Sequence, residues 1–207
     1  MSRRAAPRCW GCALLSTGAG ALGVAVLAQI ADAQGARTRA TVFEPFTAAG
    51  RPVSSPRQTI TGSCWTGSLA SRRADAWRCT SGNEIIDPCF SSAQARAIVL
   101  CSISGPWDRG LLQLRLTKKL PSRYANRGRP STAGLPWAVQ TTSGWRCELA
   151  TGATTVIAGM RLNYFCRGTK RGLWGAPARG SQPWHIYAAP PDARSLSIRV
   201  TIRSAWF

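Results

Sequence analysis

The chain has 207 residues, with 27 Lys and Arg against 8 Asp and Glu, a formal charge of +19, eight cysteines and one histidine. So few acids and a single imidazole exclude a calcium cage and leave zinc short of ligands. The cationic excess favours anionic partners such as acidic glycans, teichoic acids, nucleic acid or lipid headgroups, although a GC-rich genome would also enrich arginine over lysine.

Residues 1–33 have the form of an export signal. Arg3, Arg4 and Arg8 make a basic start, Cys9 to Ala31 is an uncharged stretch of 23 residues, and Ala31-Asp32-Ala33 supplies a small-x-small cleavage site. The sequence therefore predicts an N-terminal signal helix and a secreted, periplasmic or cell-envelope protein. The alternative is an uncleaved anchor, because that stretch is just long enough to span a bilayer; no other membrane association is expected. Cleavage after Ala33 leaves 174 residues with 21 Arg, 3 Lys and 7 acids, a formal +17. That length suits one ordinary domain or two very small ones.

Residues 34–57 are polar and broken by Pro45, Pro52 and Pro56, with one strand-like run at Thr41-Val42-Phe43. They form a linker or an edge strand. From 58 to 207 the pattern is that of a β-rich, disulfide-bonded domain. Leu112, Leu114 and Leu116 alternate with Gln113, Arg115 and Thr117; Leu196, Ile198, Val200 and Ile202 alternate with Ser197, Arg199, Thr201 and Arg203. Period-2 alternation marks strands with one buried face. Shorter strands are predicted at 57–65, 96–103, 136–141, 145–150, 161–166 and 184–189, and one or two helical turns at Ser91 to Ala97.

Six cysteines remain past the leader: Cys64, Cys79, Cys89, Cys101, Cys147 and Cys166. An even number in an exported chain predicts a disulfide framework, and six thiols allow fifteen pairings. Sequential pairing (Cys64–Cys79, Cys89–Cys101, Cys147–Cys166) is expected, because each neighbouring pair frames a strand-turn-strand unit. No CxxC occurs among them, which argues further against zinc. The stretch around Cys64 and Cys79 has an echo around Cys147 and Cys166. Arg73-Ala74-Asp75-Ala76-Trp77-Arg78-Cys79 resembles Arg161-Leu162-Asn163-Tyr164-Phe165-Cys166, off by one in register. Two weakly similar cysteine-hairpin halves, or simply the shared needs of a clasped hairpin, would both produce it. The expected fold is mainly β, a small disulfide-clasped sandwich or barrel.

The run from Arg73 to Cys79, continued by Gly82-Asn83-Glu84-Ile85-Ile86-Asp87-Pro88-Cys89-Phe90, resembles uncharacterised exported disulfide-containing proteins of soil bacteria. Ala150-Thr151-Gly152-Ala153-Thr154 and Gly159-Met160-Arg161-Leu162-Asn163-Tyr164 resemble the same group. The resemblance implies export and a shared disulfide-bonded fold, with no activity to carry over.

Past residue 33 there is no GxSxG elbow, HExxH, P-loop or GxGxxG fingerprint, and no specific nucleic-acid motif. A hydrolase would have to use His185 as its base, or the Glu84/Asp87 pair as two carboxylates. Against the pair, Asn83, Asp87 and Pro88 are turn formers. No cofactor or metal is expected. The basic segments are more informative. Two of them, 121–130 and 167–183, have the character of loops that mix cations with an aromatic. They hold Arg123, Tyr124 and Arg127 in one, and Arg167, Lys170, Arg171 and Trp174 in the other. Guanidinium forks suit phosphates and carboxylates, and aromatic faces stack on sugars. The sequence thus favours a non-enzymatic envelope module that recognises an anionic polymer or glycan through these loops. A hydrolase or a structural envelope protein are the alternatives. Trp174, between Gly172 and Gly175, is the tryptophan expected to be most exposed, then Trp107.

Overall fold

The computed structural model describes residues 37–102, 105–107, 110–121 and 134–207. The expected signal segment lies outside them. Thirteen strands occur among the described residues. The first seven are β1 (Arg39–Thr41), β2 (Gln58–Gly67), β3 (Ala76–Ser81), β4 (Glu84–Ser91), β5 (Ile98–Ser102), β6 (Leu111–Leu116) and β7 (Ala138–Thr141). The rest are β8 (Arg146–Leu149), β9 (Val156–Ile157), β10 (Met160–Arg167), β11 (Gly172–Ala178), β12 (His185–Ala189) and β13 (Ile198–Trp206). No helix occurs among the described residues: Ser91 ends β4, and turns fill the stretch to Ala97 where helical turns were expected.

The strands close into two small barrels, so the sandwich-or-barrel alternative resolves to barrels. β2 to β6 form a five-stranded meander. Successive antiparallel strands alternate direction, so an odd number can close only through a parallel pair, and β2 and β6 do pair in parallel, Gln58 opposite Leu112. The second barrel follows the order β7-β8-β10-β11-β12-β13. Its even count closes antiparallel, with Trp206 opposite Ala138. β1 adds to β13 in parallel, Arg39 opposite Ser204, so part of the 34–57 segment is an edge strand.

All three disulfides form in the sequential pattern, Cys64–Cys79, Cys89–Cys101 and Cys147–Cys166. Each joins residues directly opposite one another on adjacent antiparallel strands. Inside the five-stranded barrel, Cys64, Cys79, Cys89 and Cys101 pack with Trp77, Val99, Leu112 and Leu114. A ring of five strands leaves less interior than the eight that just accommodate side-chain layers, and compact sulfur pairs suit that narrow space. The second barrel encloses Val139, Cys147, Cys166, Leu173, Ile186, Ile202 and Tyr164. Between the two, Phe90 and Ala76 of the first meet Trp137 and Ala138 of the second, with Phe43 packed alongside. Phe43 and Trp137 meet edge to face at 5.4 Å, a favoured aromatic geometry.

Two strands lie where the sequence suggested turns and a loop. β4 runs through Asp87-Pro88, and the pairing with β3 slips there: Cys79 faces Ile86 but Trp77 faces Cys89. A bulge is the place in a sheet where proline, lacking its N–H, is tolerated. β11 runs through Gly172, Trp174, Gly175 and Pro177. A Cβ on Gly172 would lie 2.2 Å from Leu162 Cδ1, and Gly175 has φ +72°. These glycines mark close approach and a bulge, which shifts the register between Trp174 and Ala178. They are not the separators of a loose loop.

Candidate functional site

Trp174 is fully buried. It packs with Leu162 and Ala189, under Ala193 and Leu196, and its indole N–H donates to Ala189 O at 3.2 Å. The expectation that it tips a basic loop is therefore overturned: β11, Gly172–Ala178, runs through the middle of 167–183. Arg167 ends β10, 51% exposed, with its Nη2 3.0 Å from Glu148 Oε1. Lys170 is exposed in the turn that follows and Arg171 is half-buried. Arg123, Tyr124 and Arg127 lie outside the described residues. Trp107 is half-buried, meeting Trp206 edge to face at 5.8 Å. The most exposed tryptophan among the described residues is Trp65 on β2, at 45%.

The candidate acids and the histidine are dispersed. Glu84 is exposed at the start of β4. Asp87, three residues on, is 3% exposed at its side chain and ion-paired with Arg78 at 3.2 Å. It accepts from the Ser68 hydroxyl and, at 3.1 Å, from Leu69 N. Ser68 Oγ in turn accepts from Ala70 N at 3.0 Å and Ser71 N at 2.8 Å. Asp87 thus anchors the connection between β2 and β3. Burial raises its pKa above the usual carboxylate value, while Ser68, Leu69 and Arg78 pull the other way. His185 lies half-buried on β12. Among the described residues no hydrogen bond joins it to a serine or an acid, so a catalytic triad is not assembled there. No group of three or more His, Cys, Asp or Glu that could hold a metal occurs among the described residues.

What the fold does assemble is a groove of about 710 Å³ between the barrels. The anchored β2–β3 connection contributes Leu69 and Arg72, β10 contributes Arg161 and Asn163, and Arg179 follows β11; Leu149 to Thr151 make the floor. Two of the arginines are held in place by the backbone. Arg161 donates to Asn163 Oδ1 at 2.9 Å, Ala150 O at 3.0 Å and Gly152 O at 2.7 Å. Arg179 donates to Gly134 O and lies 4.7 Å above the Trp184 ring and 5.0 Å above Phe207. Burial lowers its pKa while Tyr164 opposes the shift, yet a guanidinium stays protonated at physiological pH. Arg72 is exposed. Leu69 and Leu135, 54% and 42% exposed, form apolar lips. No carboxylate among the described residues lines this groove.

A smaller cleft of about 420 Å³ continues from it, sharing Leu149, Ala150 and Thr151 and adding Asp87, Glu148, Phe165 and Arg167. Burial raises the Glu148 pKa too, against the pull of Arg167. Neither the groove nor the cleft was visible in the sequence, because Arg72, Arg161 and Arg179 come from separate segments. The one available signal was the echo, whose second member, Arg161-x-Asn163, lines one wall. No protein-family description, curated protein or solved structure matches the chain. The fold and the groove define a disulfide-braced, double-barrel β protein with an arginine-lined groove between its barrels.

Proposed function

We propose that this is an exported, non-enzymatic binding module of the cell envelope that recognises an anionic polymer through the inter-barrel groove. One observation carries the reading: Arg72, Arg161 and Arg179 line a single groove to which no described residue contributes a carboxylate. Guanidinium groups already fixed by carbonyl oxygens and ring faces lose little freedom when they meet a carboxylate or phosphate. Three disulfides fit an oxidising compartment, and the leader-like first 33 residues support export. The proposed binding residues are Arg72, Arg161 and Arg179; of these only Arg179 belongs to the 167–183 segment, where Trp174 is core.

The test is retention of the purified protein on immobilised polygalacturonate and polyphosphate at low and high salt. Retention should fall steeply with salt. Arg72→Glu, an exposed change that disturbs no packing, should weaken it roughly tenfold, the scale of one charge-assisted contact. Retention that ignores salt, or that Arg72→Glu leaves intact, overturns the reading.

One observation favours a second reading, an exported hydrolase: Asp87 and Glu148 line the same cleft beside the groove. The carboxylate partner of Asp87 would then be Glu148 and not Glu84. Release of reducing ends from acidic polysaccharide, abolished by Glu148→Gln, would support it; no release from any such polymer removes it.

A further inference from the structure

A second concavity lies elsewhere. At one end of the five-stranded barrel, the β4–β5 connection and the exit of β6 enclose about 830 Å³, within the range of small-molecule sites, which favour the mouths of β-barrels. Its floor is Trp77, which also belongs to the barrel interior, with Leu116 and Leu120 packed against that interior. The walls are kept low by Ala93 and Ala97. The Trp77 indole N–H donates to Ser91 Oγ at 2.9 Å, which satisfies its polar edge and fixes the ring. Because two disulfides already fill the interior, a ligand can sit on the mouth but cannot enter.

Charge is one-sided at this mouth. Arg96, Lys118 and Lys119 line it and are exposed. The one carboxylate that lines it among the described residues, Asp75, is already held by both arms of Arg73, at 2.9 and 2.6 Å. An apolar floor beneath three cations suits a molecule with a hydrocarbon body and an anionic head. We propose that the mouth of the five-stranded barrel binds a single-chain anionic amphiphile, its chain on Trp77, Leu116 and Leu120 and its head beside Lys118, Lys119 and Arg96.

The site is distinct from the inter-barrel groove, and its test is independent of that reading. Dodecyl phosphate, held below its micelle concentration, is titrated against the purified protein by calorimetry. Dodecyl maltoside and dodecyltrimethylammonium serve as headgroup controls, and anionic vesicles as the bilayer arm. Saturable one-to-one binding is expected for the phosphate, about tenfold or more tighter than for either control. Ala97→Trp, an exposed change that fills the mouth, should weaken it about tenfold, and Ala93→Trp should do the same by a second route. Lys118→Glu with Lys119→Glu should weaken it severalfold, while Arg72→Glu should leave it unchanged. Equal affinity for all three headgroups, indifference to both tryptophan substitutions, or binding to vesicles without binding to the monomer would overturn the proposal. Loss of binding in Arg72→Glu would also overturn it, by placing the ligand in the groove.

Discussion

Arg73 and Asp75 form a two-pronged ion pair, Nε to Oδ1 at 2.9 Å and Nη2 to Oδ2 at 2.6 Å, and Arg161 and Asn163 repeat its i to i+2 geometry at 2.9 Å in the second barrel. Arg73 does more than its counterpart. It is 5% exposed, its guanidinium lies 4.7 Å over the Phe90 ring, and it donates to the carbonyl oxygens of Phe43 and Phe207. One side chain therefore ties the first barrel to the segment after β1 and to the end of β13. Replacing it by alanine strands the Asp75 carboxylate and the Phe43 carbonyl at the junction, while Phe207 O keeps its bond from Phe43 N. Asp75 keeps 32% exposure, so the cost belongs at the low end for a broken buried pair, about 3 kcal/mol. Urea unfolding of Arg73→Ala should show that loss, and Arg73→Lys should recover only part of it, since an ammonium has no fork.

Trp174→Ala should cost about 3 to 5 kcal/mol, the scale of a large core deletion. The ring is buried on the outer side of β11 and its N–H is satisfied. A loss within 1 kcal/mol, as exposed sites usually show, would contradict that placement.

Reduction should loosen the two barrels unequally. Cysteines make up four of the eight buried residues in the core of the first barrel but only two of the eleven in that of the second. Each bridge closes a short loop, with sequence separations of 15, 12 and 19, and contributes about 3 kcal/mol on chain-entropy grounds. Amide exchange under reductant should therefore expose β2 to β6 before β10 to β13. Simultaneous loss of protection would mean that the barrels unfold as one unit.

Stability should decline as pH rises through the acid range. Burial raises the folded pKa of Asp87 above 3.8 and that of Glu148 above 4.5. The folded state then keeps these protons longer than the unfolded chain does. Their contribution is complete below the unfolded values and is lost as pH climbs through the raised folded ones. Tm measured from about pH 3.5 to 7 should fall across that window and level off above it, and Asp87→Asn should flatten part of the fall. A rise across the same window in the wild-type protein would reverse the sign and refute the assignment.

The β class and the disulfide pairing were legible because both are local. Alternation at Leu112 to Leu116 needs only neighbours, and each cysteine pair sits on adjacent strands. The alternation at Leu196 to Ile202 was legible in part: Ile202 is buried but Ile198 is 41% exposed. Past Ile202 a slip in the pairing with β7 brings Ala205 to the inside as well. Barrel closure was not legible, since the parallel β2–β6 contact and the β7–β13 contact join distant segments with no turn to announce them. β11 was hidden because a glycine required by the Leu162 side chain looks, in sequence, like one required by a loop. The groove was hidden for the same reason as closure. Arg72, Arg161 and Arg179 are ordinary surface cations until the fold brings them together.

The parallel alignment of β1 with β13 has a mechanical side. Thr41 and Phe43 exchange hydrogen bonds with Phe207, N–H to O at 2.9 and 3.0 Å. Three further residue pairs run from Arg39–Ser204 to Thr41–Trp206. A tension applied between the residues before β1 and the end of β13 would pull these strands past one another along their length. Every bond in the ladder would then share the load at once, where an antiparallel hairpin pulled at its open end would release its bonds singly. The pairing of β1 with β13 is arranged as a shear clamp.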